Sequence, residues 1–487
     1  MTTEQEAQVL EMLAAYTGAK TIADLPNGNT SNQDKSIEVY NNSTGQSEQM
    51  PLQDAVTMAN RPWCGRVWNL DNGTPVAATT IGSLEMLRNL QSLYGIGCYL
   101  VKNDHSRRKL DAKDHYKFAT GEAAKLDGTM GHYQWGWGKN FYVVVKTVGN
   151  LLYLMTSQYP IQGEYNYFIP IASMSAMGNG VMDRTNSTLV SYVNEDAQYR
   201  GGNNNADWDG TYRSLLGMVA TNMNAATFLT AARKNGDGWL GGCGRIHAVM
   251  TILYMLMFGN RNIQAAYVAE KDSNGLYQGG LGAGVSTIPD WSGYNGYNPM
   301  IPTSAGIELG DACGVVNYEV KASDGTTYYT APVPVFCGLK HPFGHIWKIM
   351  TDECYRANAD TSLTHLVATS LLGSGWTLAD ETGMTAYSTS PAADGWIKTV
   401  SLEHLELVPT SVGGSETTYY CDYFWHGSAT SGLRWLCRGG NAVHGGRGGL
   451  SYVAGNNAVT DADACCGSPL CEIAEEWPLE PKYCEVA

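Results

Sequence analysis

The sequence predicts an α+β fold in which short strands outnumber long helices and loops take much of the surface. Three observations carry that expectation. Residues 246–258 are apolar nearly all round, which suits a helix enclosed by a domain, and the longest apolar stretch, near 252–258, is much shorter than the ~20 residues of a membrane span. Stretches rich in β-branched and aromatic residues at 141–153, 315–321, 326–332 and 398–407 read as strands. Long Gly- and Asn-rich connections, including 279–284 and 293–296, lie between such elements.

In chain order, residues 3–16 read as a helix. Thr3 and Glu6 form a capping box, Val9, Leu13 and Tyr16 make one apolar stripe, and Gly18 can end it. A strand at 37–40 and a turn at 41–45 follow. Residues 1–60 therefore form a small unit with too little core of its own, expected to dock or self-associate.

Residues 61–125 read as a connecting α/β segment. Ser83 caps a helix over 83–94, Leu84, Leu87, Leu90 and Tyr94 share one side, Gly95 stops it, and a strand occupies 96–101. The basic cluster 105–113 is expected to be a solvated loop.

Residues 126–487 make the main domain. Gly149-Asn150 signals a hairpin between the strands of 141–153. Leu215, Leu216, Val219, Met223, Ala226 and Leu229 have helical spacing over 212–234, with Gly236 after it.

The 487 residues suffice for two or three compact units. A formal charge of −15 supplies no basic field, which speaks against nucleic acid or an anionic membrane surface as partner. Charged residues are only 16% of the chain, while 56 Gly, 29 Tyr and 13 Trp favour a contact surface of aromatic and small polar groups. The opening Met-Thr-Thr-Glu-Gln-Glu lacks a secretory pattern, so a soluble product folded where it is made is expected. The 12 cysteines contain no Cys-x-x-Cys pair, and Cys465, Cys466, Cys471 and Cys484 lack the spacing of a closed zinc site. Reduced structural thiols are expected.

Two segments are specific. One is Lys340-His341-Pro342-Phe343-Gly344-His345-Ile346-Trp347-Lys348-Ile349. The other is Arg434-Trp435-Leu436-Cys437-Arg438-Gly439-Gly440-Asn441, followed by Cys466-Gly467-Ser468-Pro469-Leu470-Cys471. In this order and spacing they resemble the C-type-lectin-like fold in its formylglycine-generating-enzyme branch. There a Gly-Asn-Val-Trp-Glu-Trp segment precedes Arg-Val-x-Arg-Gly-Gly-Ser and a final Gly-Phe-Arg. The resemblance makes Gly344, Trp347, Arg438, Gly439 and Gly440 the structural motif and implies that Trp347 is internal.

A second resemblance covers more of the chain. Leu110-Asp111, His115-Tyr116-Lys117-Phe118, Leu126-Asp127-Gly128, Trp135, Leu253-Tyr254 and Asn260-Arg261-Asn262-Ile263-Gln264 are similar to tail-fibre-type proteins of phages and prophages of gut bacteria. Some of those end in this lectin-like domain and are diversified by retroelements. The resemblance implies a virion protein made in the host cytoplasm, a homotrimer, attached to other virion proteins through its N-terminus and binding a host cell-surface receptor, protein or glycan. No membrane insertion and no cofactor are expected.

The segment 441–457 alternates polar or aromatic residues with Gly and small apolar ones. With Leu450 and Val453 fixing the framework, Asn441, His444, Arg447, Tyr452, Asn456 and Asn457 are the candidate receptor-binding residues. Trp425 and His426 rank second. The competing reading is a structural head-fibre or capsid-decoration protein without a dedicated receptor.

A formylglycine-generating-type oxidase is the other alternative, but Cys421 and Cys437 form no Cys-x4-Cys within the motif, so no catalytic residues are assigned and no enzyme is expected. His345 stands where the enzyme branch has a calcium-binding Asn, and imidazole suits a hard cation poorly. His341 and His345 lack a third ligand nearby, and Asp207 and Asp209 read as part of an Asx-rich turn, so no metal is expected. The Gly-rich runs lack the context for phosphate binding.

Overall fold

The computed structural model describes residues 61–264, 288, 291–373, 375–427 and 430–485, together with the backbone pairing of Ser36–Asn41 with Gln46–Pro51. That hairpin contains the expected strand at 37–40. The expected helix 3–16, its stripe, the turn residues 42–45 and the Gly-rich 279–284 lie outside the described residues.

Strand outweighs helix, 36% to 13%, so the fold is mixed and dominated by sheets. One six-stranded sheet runs Lys482–Tyr483, Tyr165–Ile169, Phe141–Val148, Leu151–Ser157, Trp63–Asn69, Thr79–Gly82. A second runs Trp239–Leu240, Cys471–Ile473, Ala172–Ser175, His132–Trp137, Gly97–Val101, Arg107–Lys109. A nine-stranded sheet runs Met384–Ser390, Leu363–Ala368, Trp347–Ala357, Leu433–Arg438, Val453–Ala454, Tyr423–Trp425, Gly395–Ser401, Val408–Val412, with Cys466–Gly467 parallel to the Trp347 strand.

The boundary expected at residue 125 falls inside two of these sheets. Trp63–Asn69 pairs with Leu151–Ser157, and Gly97–Val101 pairs with His132–Trp137. Residues 61–125 are therefore part of the main body and no connector. Near the other end of the chain, Cys471–Ile473 pairs with Ala172–Ser175.

The helix Gly244–Phe258 is enclosed as its all-round apolarity requires, with every residue but Met257 buried. It touches Leu151–Ser157, Ala172–Ser175 and Trp347–Ala357, one strand from each large sheet. Its N-terminus receives an acid, since the Gly244 N–H donates to Asp352 Oδ1 at 2.8 Å. Arg245 is held at the same end by the carbonyls of Trp477 and Ala368, at 2.8 and 2.6 Å.

Local signals were otherwise followed in part. Ser83 Oγ accepts from Met86 N, but the helix breaks at Asn89 into Leu84–Arg88 and Leu90–Tyr94, with Gly95 closing it. Gly149 makes the hairpin between Phe141–Val148 and Leu151–Ser157. Strands occupy Gly314–Lys321 and Thr327–Phe336, while 398–407 is split between Gly395–Ser401 and a short 3-10 turn at Glu403–Leu405.

Of the helix expected over 212–234, only Ala225–Arg233 forms. Asn224 caps it by accepting from Thr227 N, whereas Leu215 and Val219 are buried in an irregular chain whose carbonyls accept from Gly201 N and Gly202 N, each at 2.8 Å, beside the isolated bridge Gly202↔Ala220. The basic cluster is likewise no solvated loop: Arg107–Lys109 is a strand whose side chains are ion-paired. Arg107 reaches buried Glu472 at 2.5 Å, Lys109 reaches Asp311 at 2.9 Å, and Arg108 pairs with Glu122.

Among the described residues no helix is long and apolar enough to cross a membrane.

Candidate functional site

The two motif segments meet at the middle of the nine-stranded sheet. Lys348 lies opposite Arg438 and Ile349 opposite Cys437. Past Arg438 the chain leaves the sheet through Gly439 and Gly440, at φ +90° and +81°, conformations that any side chain would strain. It returns at Val453, opposite Arg438 and parallel to Phe424. Backbone bonds tie the excursion down: Gly344 N–H to Gly439 O (2.9 Å), Ala442 N–H to His345 O (3.1 Å) and Gly439 N–H to Tyr452 O (3.0 Å). Gly344 itself takes φ +72°.

Trp347 is buried, as the resemblance implies, and its ring sits 4.7 Å from Tyr452 and 5.0 Å from His444. This overturns part of the expected display. Tyr452 is fully enclosed and Asn441 is buried, so neither can meet a partner. His444 is half-buried, its Nδ1 accepts from Asn441 N at 2.9 Å, and burial together with the nearby Arg447 pushes its pKa down to about 4. These three brace the loop from inside. The reason is geometric: Leu450 and Val453 join one core cluster while Ala442, Tyr452 and Ala454 join another. The returning chain thus runs between two packed layers, and alternation along it marks two cores and no exposed face.

Arg447 is the expected contact residue that stays exposed. Its guanidinium lies 4.7 Å from the Tyr423 ring centroid, a cation–π arrangement. Asn456 and Asn457 are half-buried at the end of the return strand, where the Asn457 carbonyl accepts from Trp435 N at 3.0 Å.

Alternation does govern the short strand Tyr423–Trp425. Phe424 enters the core while Tyr423 and Trp425 share the other face, their rings 6.4 Å apart. Trp396, on the neighbouring strand, meets Tyr423 edge-on at 5.6 Å. Trp425 is 36% exposed. The structure therefore assembles Arg447, Tyr423, Trp425 and Trp396 into one aromatic and cationic surface. Trp425 ranked second in the sequence, and Tyr423 and Trp396 were missed; the signal available for Tyr423 was its i, i+2 relation to Trp425. His426 is buried and hydrogen-bonded to Gly427 O and Thr361 O, at 2.7 and 2.5 Å.

Two further residues position this surface. Gln264 Nε2 donates to Gly445 O at 2.7 Å and also to Gly448 O, pinning the loop from beneath. Asp422 Oδ2 accepts from Ser451 N at 2.8 Å, and a Cβ on Gly449 would come within 2.0 Å of Asp422 Oδ1. Glycine there is required by close approach.

Other candidate groups are structural in their contacts. Asp209 is engaged by Arg200 at 2.6 Å and Leu215 N at 3.3 Å, and Asp207 lies in a 3-10 turn capped by Asn205. His345 Nε2 accepts from Met300 N at 3.2 Å, while neither nitrogen of buried His341 has a hydrogen-bond partner among the described residues. Cys421, Cys437 and Cys466 are buried, and burial pushes each thiol pKa up, opposite to what a reactive thiolate needs.

Cys98, His115 and Asp311 bring potential metal-ligating atoms within 4.8 Å of one another. Their donors and acceptors are already engaged. Asp311 takes His115 Nε2 at 3.0 Å, Cys98 N at 2.8 Å and Lys109 at 2.9 Å, and His115 Nδ1 meets Tyr133 Oη at 2.6 Å. With lysine ammonium already on Asp311, this is a hydrogen-bonded hub that joins the Gly97–Val101 strand to the 306–312 turn.

No family model matches the chain, and no curated protein matches it.

Proposed function

We propose that the chain is a phage virion fibre protein whose lectin-like C-terminal region binds a host-surface receptor. The observation that carries this reading is the surface made by Arg447, Tyr423, Trp425 and Trp396. Trp, Tyr and Arg are the side chains that most often dominate interface energies, because they offer large contact area with few torsions to freeze. Here they stand on strands and on a glycine-turned loop braced by Trp347, Tyr452, His444 and Gln264, so little ordering cost remains when a partner docks. Half-buried Asn456 and Asn457 follow the return strand, where Gly455 N–H donates to the Trp425 carbonyl at 2.9 Å, and flank this surface.

In this reading the protein acts by binding and not by catalysis, takes no cofactor, and is carried on the virion as a homotrimer attached through residues 1–60. Purified protein should bind host cells or their envelope extract and compete with phage adsorption. Protein that stays on the particle but neither binds host surface nor blocks adsorption would assign it to the capsid-decoration class.

A further inference from the structure

Cys313 directly precedes the strand Gly314–Lys321, and Cys337 directly follows its hairpin partner Thr327–Phe336. The register Gly314↔Val335 brings the two cysteines together at the base of the hairpin. Their sulfurs are 3.5 Å apart, and the Cys337 N–H points at Cys313 Sγ at 3.3 Å. A disulfide needs about 2.05 Å, so closure asks for roughly 1.5 Å of sulfur movement, within reach of small side-chain torsions. Cys313 is half-buried and can be reached from solvent, whereas Cys337 is fully enclosed beneath it. Cys465 and Cys466, 3.7 Å apart, are by contrast both buried and adjacent in sequence, and Cys437, which faces Cys466, is buried too.

We propose that Cys313 and Cys337 form a disulfide site that locks the base of this hairpin when the folded protein meets an oxidised small thiol such as glutathione disulfide. The Cys313 thiolate attacks one glutathione sulfur, giving a mixed disulfide and releasing one glutathione thiolate. Cys337 Sγ then attacks Cys313 Sγ, and its proton leaves with the second glutathione; burial raises this thiol's pKa too, so the 3.5 Å approach of the two sulfurs and not thiolate character drives the step. Two protein thiols are oxidised and one glutathione disulfide is reduced to two glutathiones.

The bridge fixes the Gly314–Lys321 strand, which has only one neighbour in its three-stranded sheet, and the Gly338–Lys340 segment, whose Gly338 carbonyl accepts from Cys98 Sγ of the hub at 3.5 Å. A protein assembled in a reducing cytoplasm would acquire the lock after release.

The full chain, incubated natively with glutathione disulfide, quenched with iodoacetamide and mapped by mass spectrometry, should yield a linked Cys313–Cys337 peptide. Dithiothreitol should reverse it, and proteolytic cleavage within residues 314–336 should slow several-fold. Cys313→Ser should keep the fold, checked by circular dichroism, and lose the bridge. Cys337→Ala should stall with glutathione on Cys313. Wild-type protein that stalls as the Cys313 adduct, links Cys313 elsewhere or keeps both thiols free would overturn the proposal.

Discussion

Arg438 and Glu353 form an enclosed bidentate pair, with Nε 2.7 Å from Oε1 and Nη2 3.0 Å from Oε2. Two of the three remaining guanidinium hydrogens go to the carbonyls of Leu407 and Glu406, at 2.7 and 2.8 Å, and His365 Nε2 lies 2.8 Å from Glu353 Oε2. The arginine of the Arg-Gly-Gly motif therefore ties the central strand pair to the chain before Val408. Arg438→Met removes one partner and leaves a buried carboxylate, which should cost about 3–5 kcal/mol in urea unfolding. Arg438→Lys should fail to restore it, since a single ammonium cannot reproduce the fork.

The acid limb of stability should come from buried imidazoles. Burial lowers the pKa of His132 and His444 to about 4 and of His247 and His345 to about 3. Each folded value lies below the unfolded value of about 6.5, so the unfolded chain takes up protons that the folded one refuses. Their contribution is complete above about pH 6.5 and is lost as pH falls. Asp352, raised to about 6 by burial, and Asp422, which burial raises well above the usual carboxylate range, oppose this, and Glu353, held at about 2 by Arg438 and His365 against its burial, adds a further loss at lower pH. The melting temperature should fall between pH 7 and pH 4.5; an unchanged or higher value at pH 4.5 would count against these assignments.

Framework and surface should separate cleanly within one loop. Trp347→Ala and Tyr452→Ala each open a cavity between packed rings and should cost about 3–5 kcal/mol. Arg447→Ala removes an exposed side chain and should change stability by about 0.5 kcal/mol or less. Thermal melts of the three variants decide this without any ligand.

What the sequence made legible depended on how one-sided each signal was. The run 246–258 could only be an enclosed helix, and Ser83, Gly95 and Gly149 act within a few residues of themselves. Tyr452 was misread because alternation tells inside from outside only when one face meets water, and this strand is packed on both. Leu215 and Val219 mimicked a helix because their burial is set by distant chain, through the bridge Gly202↔Ala220. The aromatic surface joins residues 396, 423, 425 and 447, a juxtaposition that the sheet topology creates.

Host-cell binding by Trp425→Ala/Arg447→Ala, measured beside its melting temperature, tests the central claim most directly. At ~2 kcal/mol or more for each interface anchor, binding should fall at least several hundred-fold while the melt stays close to wild type. Wild-type affinity in this variant, or a wild-type protein that never binds the host surface, would contradict the receptor-binding account.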